Sequence, residues 1–266
     1  MQMNKFSLEH DYILRYSLTD EAELILPNQR IIVKKPLMFS TQLNVLVWNI
    51  FKQKRSNCIK LLEKYAQNTQ LILLQEAQNT PKLINFITEH SKVADQVPAY
   101  SFNDIYAGVM TIADSTPIIA SHFKEREPLI RIPKSALITE YLLANSVHTL
   151  LVANIHAVNF SFGVKVYQQQ INDLITQIKH HQGPIILAGD FNSWSRQRLH
   201  LLYNLIRKID LKPVNFSTDI RKTFMGKPLD FVFYRGMHVE HAEIVNTEAS
   251  DHNPLLVNFR LDNANL

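Results

Sequence analysis

Polar residues recur in one kind of place along this chain: at the end of an apolar run, or a step beyond it. Asn49 ends Leu43-Asn44-Val45-Leu46-Val47-Trp48, Gln75 and Glu76 follow Leu71-Ile72-Leu73-Leu74, and His156 follows Leu150-Leu151-Val152-Ala153-Asn154-Ile155. Asp190 and Asn192 close Ile185-Ile186-Leu187-Ala188-Gly189, Asp230 opens Phe231-Val232-Phe233, and Ser250-Asp251-His252-Asn253 precedes Pro254-Leu255-Leu256-Val257. Carboxylates and amide oxygens suit a hard divalent cation. An imidazole beside a carboxylate titrates near neutral pH and can move protons. Asp251-His252 offers both in adjacent residues, and Gly189-Asp190-Phe191-Asn192 sets two polar groups two residues apart behind a glycine that permits a tight turn. Singly, each has a plainer reading: Glu76 a helix cap or solvated turn, Asp230 a strand-edge residue, His156 a hydrogen-bonded core histidine, Asn49 a side-chain-to-backbone turn. Together they point to strand ends gathered along one sheet edge, where α/β folds bind ligands.

The elements that would bring them there alternate. Residues 43–50 and 70–75 read as buried strands. Residues 56–67 read as a helix capped by Ser56, with Ile59, Leu62, Tyr65 and Ala66 at helical spacing. Thr80-Pro81 starts a second helix with Leu83, Ile84 and Ile87 on one face. Strands are expected over 108–113, 135–143, 149–158, 184–191, 229–234, 239–245 and 255–261. Helices are expected over 164–181, ended by Gly183-Pro184, and over 195–209. Residues 1–40 read as irregular, apart from a candidate edge strand at Ile31-Ile32-Val33 between Pro27 and Pro36. With only 6 glycines, no Gly/Ser-rich linker and no short-period repeat, one domain of mixed sheets with outer helices is expected.

The bulk composition narrows the classes further. The chain has 266 residues, 46% hydrophobic and 20% charged, with a formal net charge of +4. That mild basicity favours polyanionic partners weakly, and the lysines and arginines form no solid block of the kind a disordered nucleic-acid arm would carry. The single cysteine, Cys58, cannot close an internal disulfide; it sits in a helix-start pattern and is expected to be buried and inert. Residues 1–20 lack an uninterrupted apolar segment, so no signal peptide is read there, and no run approaches the ~18 apolar residues of a membrane span. The expected location is the cytoplasm, and the default oligomeric state a monomer. There is no Cys/His cluster for zinc and no Gly-rich phosphate loop of the Walker kind. No aromatic-rich insertion suited to wedging into a duplex stands out.

Six segments, in this order, resemble the motifs of the endonuclease/exonuclease/phosphatase superfamily: Trp48-Asn49-Ile50, Leu74-Gln75-Glu76, Asn154-Ile155-His156, Gly189-Asp190-Phe191-Asn192, Leu229-Asp230-Phe231-Val232 and Ser250-Asp251-His252-Asn253-Pro254. The likeness runs from about residue 43 to residue 260. That family includes DNase I-like nucleases, abasic-site endonucleases, inositol-polyphosphate phosphatases and neutral sphingomyelinases. Ser193-Trp194-Ser195-Arg196-Gln197-Arg198 and Pro133-Lys134-Ser135-Ala136-Leu137 are similar to its YafD-type bacterial subfamily. The resemblance implies a DNase I-like four-layer α/β sandwich, with two mixed β-sheets face to face and helices outside. It places the domain at 41–262, with 1–40 as an N-terminal extension packing on it.

The resemblance also implies roles. Glu76 would bind Mg²⁺ or Mn²⁺ with support from Asn49 and Asp251. Asp190 would orient or deprotonate the attacking water, Asn192 would hydrogen-bond the phosphoryl oxygens, and His156 would contact the scissile phosphate. Asp230 would pair with His252 and fix its tautomer, leaving His252 as acid, base or phosphate ligand. Phosphoryl transfer asks mainly for in-line positioning and neutralisation of oxygen charge, which such a set can supply. The Ser-Arg pair that many members carry near residue 113 is missing from Gly108-Val109-Met110-Thr111-Ile112-Ala113-Asp114-Ser115, so a substrate-contacting arginine would be absent or supplied by Arg126 or Arg131. The expected activity is metal-dependent phosphodiester hydrolysis in nucleic acid. A phosphatase or phosphodiesterase acting on a lipid head group or metabolite is the alternative, with Arg131 and Lys134 forming a compact basic pocket. A non-catalytic binding module on the same fold is the third reading.

Overall fold

A computed structural model of the chain describes residues 12–18, 21–33, 35–37, 42–103, 105–126, 133–144, 146–159, 161 and 163–261. Strands β1 (Ile13–Tyr16), β2 (Glu23–Ile25), β3 (Leu43–Asn49), β4 (Leu71–Gln78), β5 (Val93–Phe102), β6 (Ile105–Ala113), β7 (Ile119–Arg126) and β8 (Pro133–Leu142) form the first half. They are followed by β9 (Thr149–His156), β10 (Ile185–Asp190), β11 (Lys212–Pro213), β12 (Thr223–Phe224), β13 (Lys227–Pro228), β14 (Asp230–Arg235), β15 (Met237–Ile244) and β16 (Leu255–Leu261). The helices are α1 (Cys58–Ala66), α2 (Pro81–Glu89), α3 (Lys165–Ile178) and α4 (Arg196–Arg207).

Two sheets result. The larger runs β15-β16-β3-β4-β6-β5-β1-β2 and the smaller β11-β14-β10-β9-β8-β7, with β12 and β13 as a separate hairpin. Both are mixed, since β3 pairs with β4 and β9 with β10 in parallel while their other pairs are antiparallel. Alternation along each strand then decides the layers. On β3, Leu46 and Trp48 pack with Leu62, Leu83 and Ile87 of α1 and α2, whereas Val45 and Val47 pack with Ile186, Ala188 and Val232 of the other sheet. On β10, Ile185 and Leu187 face Ile171, Leu174 and Leu202 of α3 and α4. The order of layers is helices, sheet, sheet, helices: the four-layer sandwich expected from the sequence.

Helix starts follow their caps. Thr80 accepts a hydrogen bond from the Leu83 amide with Pro81 in the first turn, and Ser195 accepts one from Arg198, each satisfying an otherwise orphaned donor. Ser56 does not cap α1; that position falls to Asn57, which makes no side-chain cap bond. Cys58 is buried at the start of α1, and burial pushes its thiol up to about 12.

Two expectations are corrected and two strands are added. Residues 1–40 are not wholly irregular: β1 pairs with β5, and β2 with β1, so they extend the larger sheet. Arg15 of β1 forms a two-bond ion pair, fully buried, with Asp95 of β5 at 2.6 and 2.7 Å. Ile31-Ile32-Val33 is not a strand; the Ile31 amide donates to Ile118, and Ile32 is exposed. Strands β5 and β7 went unread, because Asp95, Gln96 and Pro98 interrupt one and Ser121, His122 and Lys124 the other. Pro98 is tolerated where β5 bulges against β6, beyond the stretch that pairs with β1, as proline requires in a sheet.

Candidate active site

Strand register assembles the site. Asp190 ends β10, flanked on one side by His156 of β9 and on the other by Asp230 of β14. Neighbouring strands lie about 4.8 Å apart, so three functional side chains stand in a row at one sheet end. Gly189 makes this possible: its φ is +138°, and a Cβ there would lie 2.0 Å from the Ile155 carbonyl oxygen. From the larger sheet, Asn49 ends β3 opposite Gln75 of β4, with Glu76 one step on. Glu76 has a φ of 54° at a bulge in the β4–β6 pairing, and Asn192 a φ of 46°. Asparagine tolerates that conformation; a glutamate in it is strained, a condition found preferentially at functional sites.

Asp190 is the hub. Its Oδ2 accepts a hydrogen bond from Asn49 Nδ2 at 3.1 Å, and its Oδ1 one from the Asn192 amide at 3.0 Å. His156 Nε2 lies 3.5 Å and His252 Nε2 4.0 Å from Oδ2. His252 Nδ1 is 2.8 Å from Asp230 Oδ2, so this dyad is directly hydrogen-bonded. Asn192 Nδ2 donates to the Ala157 carbonyl, which fixes the turn behind the hub. All of these residues are buried.

The electrostatics divide the two histidines. Burial opposes charge on His252, but Asp230, Asp190 and Asp251 outweigh it and raise its pKa to about 10, so it is an imidazolium at neutral pH. His156 is held well below 6.5 by burial, by Lys134 and by His252. It is neutral, and its approach to Asp190 is therefore no ion pair. Lys134 Nζ lies 2.8 Å from His156 Nε2; an ammonium has only donors, so this nitrogen accepts and the proton sits on Nδ1. Burial raises Asp190 to about 6, with Asp230 adding to the rise and His252 and Lys134 opposing it. A base of that pKa, beside an imidazolium across a gap of 4.0 Å, suits proton removal from an oxygen bound between them.

Two donor sets could take a cation. The carboxylate oxygens of Asp190 and Asp230 and a ring nitrogen of His252 lie within 4.8 Å of one another. The other candidate donors are Glu76, Asn49 and Asp251. Ser250 Oγ donates to the Asn49 carbonyl at 2.7 Å and lies 3.5 Å from Asp251 Oδ1, which ties the Asp251 turn to Asn49 and its neighbour Glu76. Glu76 is half-buried and Asp251 exposed, and the Lys52 ammonium sits 3.7 Å from Glu76 Oε2, so this carboxylate already draws a cation. Donors that are all oxygen and have solvent access fit a hard divalent ion better than a buried set with one imidazole nitrogen.

Several supporting residues were not identified from the sequence. Asn154 lies between the sheets, accepting from Gln75 Nε2 at 2.7 Å and donating to the Leu74 and Met110 carbonyls. Trp48 Nε1 donates to the His252 carbonyl at 2.8 Å. Arg198 is fully buried and donates to the carbonyls of Val158, Asn159 and Asn192 and to Ser161 Oγ. Its guanidinium lies 4.7 Å from the ring centres of both Tyr167 and Trp194. Of the two arginines named as replacements, Arg126 lies at the end of β7 and Arg131 falls outside the described residues. Lys134, beside His156, and Lys52, beside Glu76, bring cationic side chains to the site.

A sandwich of this kind, with an acid–imidazole–acid cluster across its strand ends, defines a class of phosphoester-cleaving enzymes. The sequence model of the endonuclease/exonuclease/phosphatase family matches residues 46–252, and the chain belongs to that family. It is 48% identical over 255 residues to a UPF0294 protein of Erwinia tasmaniensis, covering 93% of this chain and 95% of that one. Among solved structures it resembles an endonuclease/exonuclease/phosphatase from Bacteroides vulgatus, with a TM-score of 0.65 at 16% identity, over 84% of this chain and 100% of that chain. It also resembles ANGEL2, a 2',3'-cyclic phosphatase solved with adenosine-2',3'-vanadate, with a TM-score of 0.67 at 15% identity over 87% and 99%.

Proposed function

We propose that the protein is a divalent-metal-dependent phosphodiesterase, with Mg²⁺ or Mn²⁺ as cofactor and single-stranded or duplex nucleic acid as substrate. The observation that carries this is the convergence of Asn49, Asn192, His156 and His252 on one carboxylate, Asp190, with Asp230 behind His252. Glu76, Asn49 and Asp251 would hold the ion, which would polarise a phosphoryl oxygen and offset its charge. Asp190 takes the proton of the attacking water, and the water oxygen forms the new bond to phosphorus. As the opposite P–O bond breaks, the leaving oxygen takes a proton from water, and the His252 imidazolium beside Asp190 steadies the phosphoryl charge. Asn192 steadies the non-bridging oxygens. Lys134 and Lys52 add positive charge for a polyanion. The ANGEL2 complex supports a nucleotide substrate by analogy of fold. No helix among the described residues is long and apolar enough to cross a membrane, and we assign the enzyme to the cytoplasm as a monomer.

The test is turnover of bis(p-nitrophenyl) phosphate with Mg²⁺ or Mn²⁺, abolished by EDTA and lowered about a thousandfold by Glu76→Ala, the worth of several kcal/mol of charge stabilisation. Supercoiled plasmid, single-stranded DNA and RNA are then compared with inositol phosphates and sphingomyelin. Turnover confined to the last two would replace the nucleic-acid reading, and no turnover of any ester would remove the catalytic one.

A further inference from the structure

The outer face of α4, whose N-terminus follows Asn192, and Lys227 of the β12–β13 hairpin border an open groove of about 340 Å³. Arg196, His200, Arg207 and Lys227 line it, and no carboxylate does. None of the four has an ion-pair partner among the described residues. Arg196 and Arg207 are separated along the helix by about 16 Å, room for more than one phosphate. At the hairpin tip, Phe224 is 54% and Met225 73% exposed, and the Phe224 ring meets the Trp194 ring edge-on at 6.3 Å. The segments that line the groove are joined to the site along the chain, for Trp194 lies two residues past Asn192 and Lys227 three before Asp230.

We propose that this groove is an exosite for the flank of a single-stranded nucleic acid whose scissile phosphate lies at Asp190. Arg196, Arg207 and Lys227 take successive phosphates, and a base stacks on Phe224. The assignment rests on the nucleic-acid reading above. Charge without pairing, set in a concave groove beside one exposed aromatic face, is how single strands are bound without sequence preference. An anionic bilayer is the rival partner, since Phe224 and Met225 could dip into it. It is disfavoured because Arg196 and Arg207 lie along α4, away from the exposed tip.

The experiment measures anisotropy of a fluorescein-labelled 12-mer single strand in EDTA, across a salt series, for the wild type, for Arg196→Glu with Arg207→Glu, and for Phe224→Ala. The double variant is expected to bind at least about tenfold more weakly, with a salt slope lower by about 1.4, the share of two phosphate contacts. Phe224→Ala is expected to lose about tenfold, the share of one stacked base. Both should hydrolyse bis(p-nitrophenyl) phosphate within twofold of wild type, which shows that they are folded. Wild-type binding of the 12-mer with unchanged affinity in both variants would overturn the exosite alone. No 12-mer binding by the wild type would overturn the exosite, and if small phosphate esters are still cleaved, the nucleic-acid reading with it. Capture by phosphatidylserine vesicles that depends on Phe224, without 12-mer binding, would give the surface to a membrane instead.

Discussion

His156 is buried as the neutral imidazole, and that has a consequence for stability. Its folded pKa lies well below 6.5 because burial, Lys134 and His252 all disfavour the imidazolium. The unfolded chain therefore binds the extra proton first. The contribution of this residue is complete above pH 6.5 and falls as pH drops through that value, by about 1.4 kcal/mol for each further unit until the folded value is reached. Denaturant unfolding from pH 8 to 5 should show this slope, and His156→Gln should flatten it. An equally steep profile in the variant would mean that His156 is already charged in the fold, and with it the acceptor role toward Lys134 would go. Asp230 and His252 differ in kind: their direct contact is what the family resemblance implied, and the 2.8 Å bond from Nδ1 to Oδ2 matches it. Lys134 was read only as part of a basic pocket with Arg131. Its contact with His156 depends on the pairing of β8 with β9, which no local pattern announces.

At the scale of elements, the turn carrying Asn192 is held by α4, through Arg198. The planar guanidinium reaches four acceptors and lies between two rings, and an ammonium cannot reproduce that fork. Arg198→Lys should cost about 3 kcal/mol, since buried carbonyls on both loops would lose their donor. It should lower turnover more than affinity, because Asn192 is displaced while the outer groove is kept. A thermal melt and a KM-against-kcat comparison on the small ester would check this; unchanged kcat with full stability loss would make Arg198 a packing residue only. The sequence marked this segment by resemblance but not this duty. The long apolar strands β3, β4, β9 and β10 were legible because they are buried on both faces and read as continuous runs. Their ends were legible for the same reason, as the polar residue that breaks such a run stands out. Strands β1, β2, β5 and β7 were not, because each mixes charged residues into a short run. For β1 and β5, burial depends on partners far apart in the chain, such as Asp95 against Arg15.

For the whole molecule the decisive feature is that the site is divided. Asn49 and Glu76 come from one sheet, His156, Asp190 and Asp230 from the other, and most of the contact between the sheets is apolar and tolerates small sliding. Asn154 supplies a directional link: fully buried on β9, it holds Gln75, Leu74 and Met110 of the opposite sheet through hydrogen bonds of 2.7 to 3.1 Å. Asn154→Leu would strand the Gln75 amide and two carbonyls, at about 1–3 kcal/mol for each group left unpaired. The melting temperature should fall by about 2–4 °C for every kcal/mol lost. If the clasp also sets the offset between the sheets, the folded variant should lose at least about tenfold in kcat at temperatures well below its melt. Gln75→Leu alone should do much the same, and the double variant should be less damaging than the sum, because the pair acts as one unit. Additive effects on stability together with an unchanged kcat in all three proteins would show that apolar packing alone fixes how the two halves of the site meet.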